Sequence, residues 1–318
     1  MRCTVNRHLL VATFCFISTT AALPAAAKPL DALSGLSGKN KAECDQTLKV
    51  VQALERGGDS SSLDRAVALL QGLVAKNKGG FDVHLELGRI YARQGKEEQA
   101  LYALTEALMM TVDDPANGAK AREEIASIYM KRGDYDEAGG EFKRVVEYYP
   151  DNMLARGNLG ICYEQIGAYD QAIEQFQKVL AVNPNDFTAL YNLGLAYFVK
   201  DDTDRAFQYF GQAISANPSN SRVSLAMLGI ARCYEARGDL SRAQEVLEKV
   251  IKHDPTNQFA YLAMAKIYKT NKEPGKALQC LRKAVSIAPR DKACRSAMAD
   301  FLGEALNLRT ASLDNPTR

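Results

Sequence analysis

Histidine is scarce: three residues in 318. Beyond the first residues only His84 and His253 remain. His84 takes the place of a large packing residue early in a helix. His253 sits just ahead of Pro255 at a helix end, where a cation suits the helix dipole. Both read as structural. The chain also lacks a glycine-rich phosphate loop, a paired His–Glu helix motif and a clustered cysteine pair of zinc type. These absences exclude the common signatures of nucleotide and zinc chemistry, and the chain reads as non-enzymatic, with no cofactor and no catalytic or metal-ligating residues. Charge of one sign is missing too: 40 basic residues face 38 acidic ones. Nucleic-acid binding usually needs a basic face, so no nucleic-acid partner is expected.

An apolar run long enough for a relaxed membrane span, roughly 20 residues, is also absent. The longest candidate, Leu9 to Ala22, follows a basic start with Arg2 and Arg7 and precedes Pro24 and Ala25-Ala26-Ala27. A basic start, a short apolar run and a small-residue site describe a secretory leader. Residues 1–27 are therefore expected to be a signal peptide cut after Ala27. Export follows, to the periplasm first and secretion as the alternative, without membrane insertion after cleavage. The two excess positive charges, Arg2 and Arg7, leave with the leader. Residues 28–41, rich in Gly, Ser and Pro, read as a flexible arm.

A disulfide framework is a further absence. Cys44, Cys162, Cys233, Cys280 and Cys294 follow the leader, an odd number without framework spacing. Cys162 and Cys233 lie beside packing tyrosines and read as buried apolar residues. Cys280 with Cys294 is the candidate pair. Cys44, near the arm, is a candidate for cross-linking to another chain.

What the sequence does have is a period. NLGICYEQIGAYDQAIEQFQKVLAVNP begins at Asn158, and YNLGLAYFVKDDTDRAFQYFGQAISANP follows in the same phase, offset by 34 residues. Leu159 matches Leu193, Gly160 matches Gly194, Tyr163 matches Tyr197, Ala172 matches Ala206, Phe176 matches Phe210 and Pro184 matches Pro218. A fixed period in this range marks stacked helical repeats. The pattern recurs at Phe81–Thr111, Ala119–Pro150, Ser224–Pro255 and Gln258–Pro289. A degenerate pair precedes it, with Leu48, Val51 and Leu54 on one helix and Leu63, Val67, Leu70 and Val74 on the next. Gly133, Gly167 and Gly238 end first helices; prolines at 150, 184, 218, 255 and 289 stop second helices. Asp201 and Lys272 stand where other repeats have the turn glycine, and Asn271 is expected to take the strained conformation beside Lys272. The period breaks twice, around 113–118 and 219–224, as a longer loop or an extra helical turn.

This pattern resembles the tetratricopeptide repeat. The resemblance implies an all-α, right-handed superhelical solenoid of about seven helix-turn-helix repeats over residues 42–308. A C-terminal capping helix from Asp291 to Leu308 closes it, and a disordered tail spans 309–318. It also implies that first helices line a concave groove that binds a segment of another protein. The expected groove residues are Leu154, Asn158, Ile161, Tyr191, Asn192, Leu195, Phe198 and Leu228, with Glu164, Gln165 and Val199 on the same face. Arg89, Arg93, Lys120 and Lys131 flank one side; Arg232, Lys266 and Lys269 flank the other. Asn158 and Asn192 match an asparagine that family members use to grip a peptide backbone. The family's lysine–asparagine clamp for a terminal carboxylate is unmatched, since Leu85, Gly157 and Tyr191 occupy its first lysine position. The expected role is a protein–protein interaction scaffold, with assembly of an envelope or secretion complex as one setting. The alternative is an adaptor that delivers an envelope hydrolase through its ends or outer face. A homodimer is compatible with either.

Overall fold

In the computed structural model, residues 38–76 and 78–313 are described, and all of their regular structure is helical. The expected leader lies outside these residues, as do most of the expected arm and the end of the tail. The chain divides into two compact units between Val179 and Leu180.

The first unit contains α1 (Gly38–Gly57), α2 (Ser60–Ala75), α3 (Phe81–Arg93), α4 (Glu97–Met109), α5 (Pro115–Arg132), α6 (Tyr135–Tyr148), α7 (Met153–Gln165) and the bulk of α8 (Tyr169–Val182). The second contains α9 (Phe187–Val199), α10 (Thr203–Ala216), α11 (Val223–Ala236), α12 (Leu240–His253), α13 (Gln258–Thr270), α14 (Pro274–Ile287) and α15 (Lys292–Leu313). Successive helices pack as antiparallel pairs, α3 on α4, α5 on α6, α9 on α10, α11 on α12 and α13 on α14. First helices of adjacent repeats also meet: α3 touches α5, α9 touches α11, and α13 touches α15. Each unit therefore presents a row of neighbouring first helices.

Helix starts follow from capping. Asp59, Asp114, Asn152, Asp186, Asp202, Asp239 and Asn257 each accept a backbone N–H three residues on, which satisfies a donor the helix leaves open. Helix ends follow from proline: α6, α8, α10, α12 and α14 each stop two residues before one.

Close approach explains the glycines. A β-carbon on Gly160 would stand 2.7 Å from Phe176 Cε1, and one on Gly194 would stand 2.6 Å from Phe210 Cδ1. A β-carbon on Gly229 would stand 2.7 Å from the same Phe210 ring. Phe142, Phe176 and Phe210 are fully buried, each worth a few kcal/mol of apolar burial.

Several expectations are corrected. Leu73, not Val74, completes the buried face of α2. That face runs through Ala66, Leu70 and Leu73, leaving Val74 on the flank. Lys272, not Asn271, takes the left-handed conformation, with φ 61°. The turn hydrogen bonds Lys272 N–H to Lys269 O and Glu273 N–H to Tyr268 O fix the position. No disulfide joins the five described cysteines, Cys280 and Cys294 included. Cys44 is 2% exposed and donates to Lys78 O at 3.0 Å, so it is not presented to another chain. The two period breaks differ. The first becomes an added N-terminal turn of α5, capped by Asp114 with Pro115 at its start. The second is a longer connection in which Asn220 Oδ1 accepts from Arg222 N–H. The terminal helices also run past their expected bounds, α1 from Gly38 and α15 to Leu313.

Candidate partner-binding face

In the first unit, the row of first helices carries Arg89 and Arg93 on α3 and Leu154, Asn158 and Ile161 on α7. Leu154 is 49% exposed, a large apolar side chain left in water. Asn158 Oδ1 is sealed from solvent without a hydrogen-bond partner among the described residues, an arrangement that normally carries a desolvation cost. Ile161 is buried and reads as core. Arg89 is not a free cation. Its Nε donates to Glu124 at 2.7 Å and its Nη1 to Glu86 at 2.9 Å. Burial works against its charge, yet these carboxylates outweigh burial and raise its pKa. Arg93 lies 3.6 Å from Glu55.

Carboxylates dominate this part of the face. Burial raises the pKa of Glu55, assisted by the charge of Glu86. Burial also raises Glu123, against the hydrogen bond that Asn152 Nδ2 donates to it at 2.6 Å. Glu164 on α7 is 5% exposed, and burial pushes its pKa to about 8. The Arg89 and Arg93 part of the cationic flank expected here is thus a compensated acid–base network. Its signal was present in the period: Glu86 and Glu124 stand two residues before Gly88 and Ala126, where Asn158 and Asn192 stand before Gly160 and Gly194.

In the second unit, α9 contributes Tyr191, Asn192, Leu195 and Phe198. The Tyr191 ring stacks on Phe187 at 6.2 Å and tilts against Phe210 at 5.8 Å, so it is held in one orientation. Asn192 is buried, while Tyr191, Leu195 and Phe198 are partly exposed. Leu228 on α11 packs in the core with Leu247 and Met264, a correction to its place on the groove wall. Lys266 pairs with Glu235 at 2.6 Å and Lys269 with Glu304 at 2.6 Å. Arg232 differs: its Nη1 is buried without a partner among the described residues, and burial lowers its pKa.

Comparison with known proteins places these features. Family models described as tetratricopeptide repeat match residues 129–196, 200–257 and 234–301, and a further one matches 58–118. More than half of the chain is covered, and the chain belongs to the tetratricopeptide repeat family. Repeats of this family support a protein–protein interaction scaffold. No curated protein matches the sequence. Among solved structures, a tetratricopeptide repeat protein from Parabacteroides merdae is 23% identical, with a TM-score of 0.65 over 81% of this chain and 99% of that one. The C-terminal part of a repeat protein from Cytophaga hutchinsonii is 17% identical, with a TM-score of 0.59 over 80% and 98%. The pilF protein of Pseudomonas aeruginosa is 18% identical, with a TM-score of 0.54 over 70% and 97%. These likenesses define the fold. No helix among the described residues is long and apolar enough to cross a membrane.

Proposed function

We propose that the protein is a non-enzymatic scaffold of an exported compartment, most simply the periplasm, that binds an extended segment of a partner protein along the face of its first helices. The observation that carries this reading is polar valence left open on that face. In each unit taken by itself, a residue of the first-helix row has a buried polar atom without a partner: Asn158 Oδ1 in one, Arg232 Nη1 in the other. Asn158 is partly exposed as a residue, and a side-chain amide pairs with peptide groups as donor or acceptor. The Tyr191 ring, held by Phe187 and Phe210, is a rigid aromatic anchor of the kind that dominates interface energies. The leader read at residues 1–27 supports export.

The test is capture from the envelope fraction of the native cell, with the Tyr191→Ala/Asn192→Ala variant beside the unaltered chain. A partner bound by the unaltered chain is expected to bind the variant weaker by roughly 2 kcal/mol, with melting curves confirming that the variant stays folded. The chain itself is expected to begin at Lys28. Equal capture by both forms would sink the face-binding reading and favour an adaptor acting through its ends.

A further inference from the structure

Seven basic residues were placed on the first-helix face; four of them end on a carboxylate, Lys120 donates to Asn117 Oδ1 at 3.0 Å and Lys131 stands exposed to water. Arg89 meets Glu86 and Glu124, Arg93 meets Glu55, Lys266 meets Glu235 and Lys269 meets Glu304. Arg232 meets none among the described residues, and its Nη1 is sealed from solvent with no acceptor in reach. A guanidinium cannot shed its proton to escape that cost, and an unmet N–H on a charged group is among the more expensive things to bury.

Its neighbours do not supply the missing acceptor. Tyr191 and Glu235 are the groups whose charges bear on it. Glu235 is already engaged by Lys266 at 2.6 Å. Tyr191 is fixed through its ring by Phe187 and Phe210. Arg232 and the Lys266–Glu235 pair together carry one uncompensated positive charge, and one N–H of Arg232 is unmet.

Resting on the partner-binding reading above, we infer that Arg232 receives the carboxylate of an aspartate or glutamate side chain in the bound segment, packed beside Tyr191. One carboxylate carries the single negative charge this group lacks, and a planar guanidinium matches a carboxylate with parallel N–H···O bonds. A doubly charged phosphate would leave excess negative charge next to Glu235. A chain-terminal carboxylate is disfavoured because Leu85, Gly157 and Tyr191 supply no lysine where a terminal clamp would need one. The ligand group is therefore an internal acidic side chain.

The experiment is selection of random displayed peptides of about 12 residues on the full chain, the peptide C-terminus being blocked by its fusion. Peptides from the unaltered protein should be enriched in Asp or Glu at one position. A selected sequence, made with an amidated end, should bind Arg232→Gln at least about tenfold more weakly, and Arg232→Lys at an intermediate level. Its Glu→Gln counterpart should bind the unaltered protein and Arg232→Gln alike. Arg232→Gln should melt no lower than the unaltered protein, because it removes an unpaired charge. A lowered melting temperature with equal loss of acidic and neutral peptides would assign Arg232 a purely structural role and overturn the inference. Peptides that need Tyr191 and Asn192 but show no acidic preference would overturn it while leaving the partner-binding reading intact. Peptides indifferent to Tyr191→Ala/Asn192→Ala would remove both. Displacement of the acidic peptide by low-millimolar inorganic phosphate would reassign the site to phosphate, again against the inference.

Discussion

Glu164 brings a carboxylate to a position with 5% exposure, and burial raises its pKa to about 8. In the unfolded chain an ordinary glutamate titrates near 4.5. Between these values the folded protein holds a proton that the unfolded chain has released, so stability falls as pH rises through this window. The contribution is intact below about pH 4.5 and is lost once pH passes about 8. Glu164→Gln keeps the shape and removes the titration. Urea midpoints measured from pH 5 to pH 9 should therefore decline for the unaltered protein relative to Glu164→Gln, by up to about 1.4 kcal/mol per pH unit. Parallel curves would show that the carboxylate reaches water. The sequence marked Glu164 as facing the groove but could not reveal its burial. The same repeat position holds Phe198 in the next repeat and Glu235 and Lys269 further on, so the residue type varies while the geometry does not. Arg232 poses the same difficulty in reverse, since a basic residue on a first helix reads as one more flanking charge until its neighbours are seen to be engaged elsewhere.

Each repeat turns at one fixed place, seven residues after its small crossing residue. Gly95, Gly133, Gly167 and Gly238 have positive φ there, and so do Asp201 and Lys272. Turn register was legible wherever glycine marked it. It was misread at Asn271 because asparagine tolerates left-handed backbone, whereas the hydrogen bonds to Lys269 O and Tyr268 O place the strain one residue later. Lys272 is exposed, so its side chain gives little in return for the conformation. Lys272→Gly should stabilise the protein by about 0.5–1 kcal/mol, and Lys272→Ala should not. Denaturant midpoints of the two variants decide this; equal midpoints would mean that the turn relaxes around lysine without strain. The period itself was legible for a related reason. Gly160 and Gly194 admit the rings of Phe176 and Phe210, and any β-carbon there would collide with them. Gly229 was missed because Ala231, two residues on, holds the repeat's expected small position, while the Phe210 ring comes up against Gly229.

A chain whose helices contact mainly their sequence neighbours distributes its stability instead of concentrating it. The contacts within each unit are of that kind, pair upon pair, with first helices meeting across one repeat. Burial is uneven along the series. The described core side chains of α1 are Cys44 and Val51, and α15 contributes Cys294, whereas α9 buries Phe187, Leu190, Leu193 and Tyr197 along with smaller residues. The degenerate first pair was legible only in part for the same reason: with fewer landmarks to bury, its sequence constrains the helix less, and α1 could begin at Gly38 where glycine and serine had suggested an arm. Graded burial implies graded opening. Amide hydrogens in α1 and α15 should exchange with solvent faster than those of α3, α9 and α11, each set in its own unit. The denaturant slope of the full chain should fall below that of a two-state protein of this length, because no one transition exposes all of the buried surface. Hydrogen exchange followed by mass spectrometry reads the first quantity and a urea titration the second. Uniform protection from α1 to α15 with one sharp transition would mean that interfaces between repeats are strong enough to make the series open as a single body, and the additive account of its stability would be wrong.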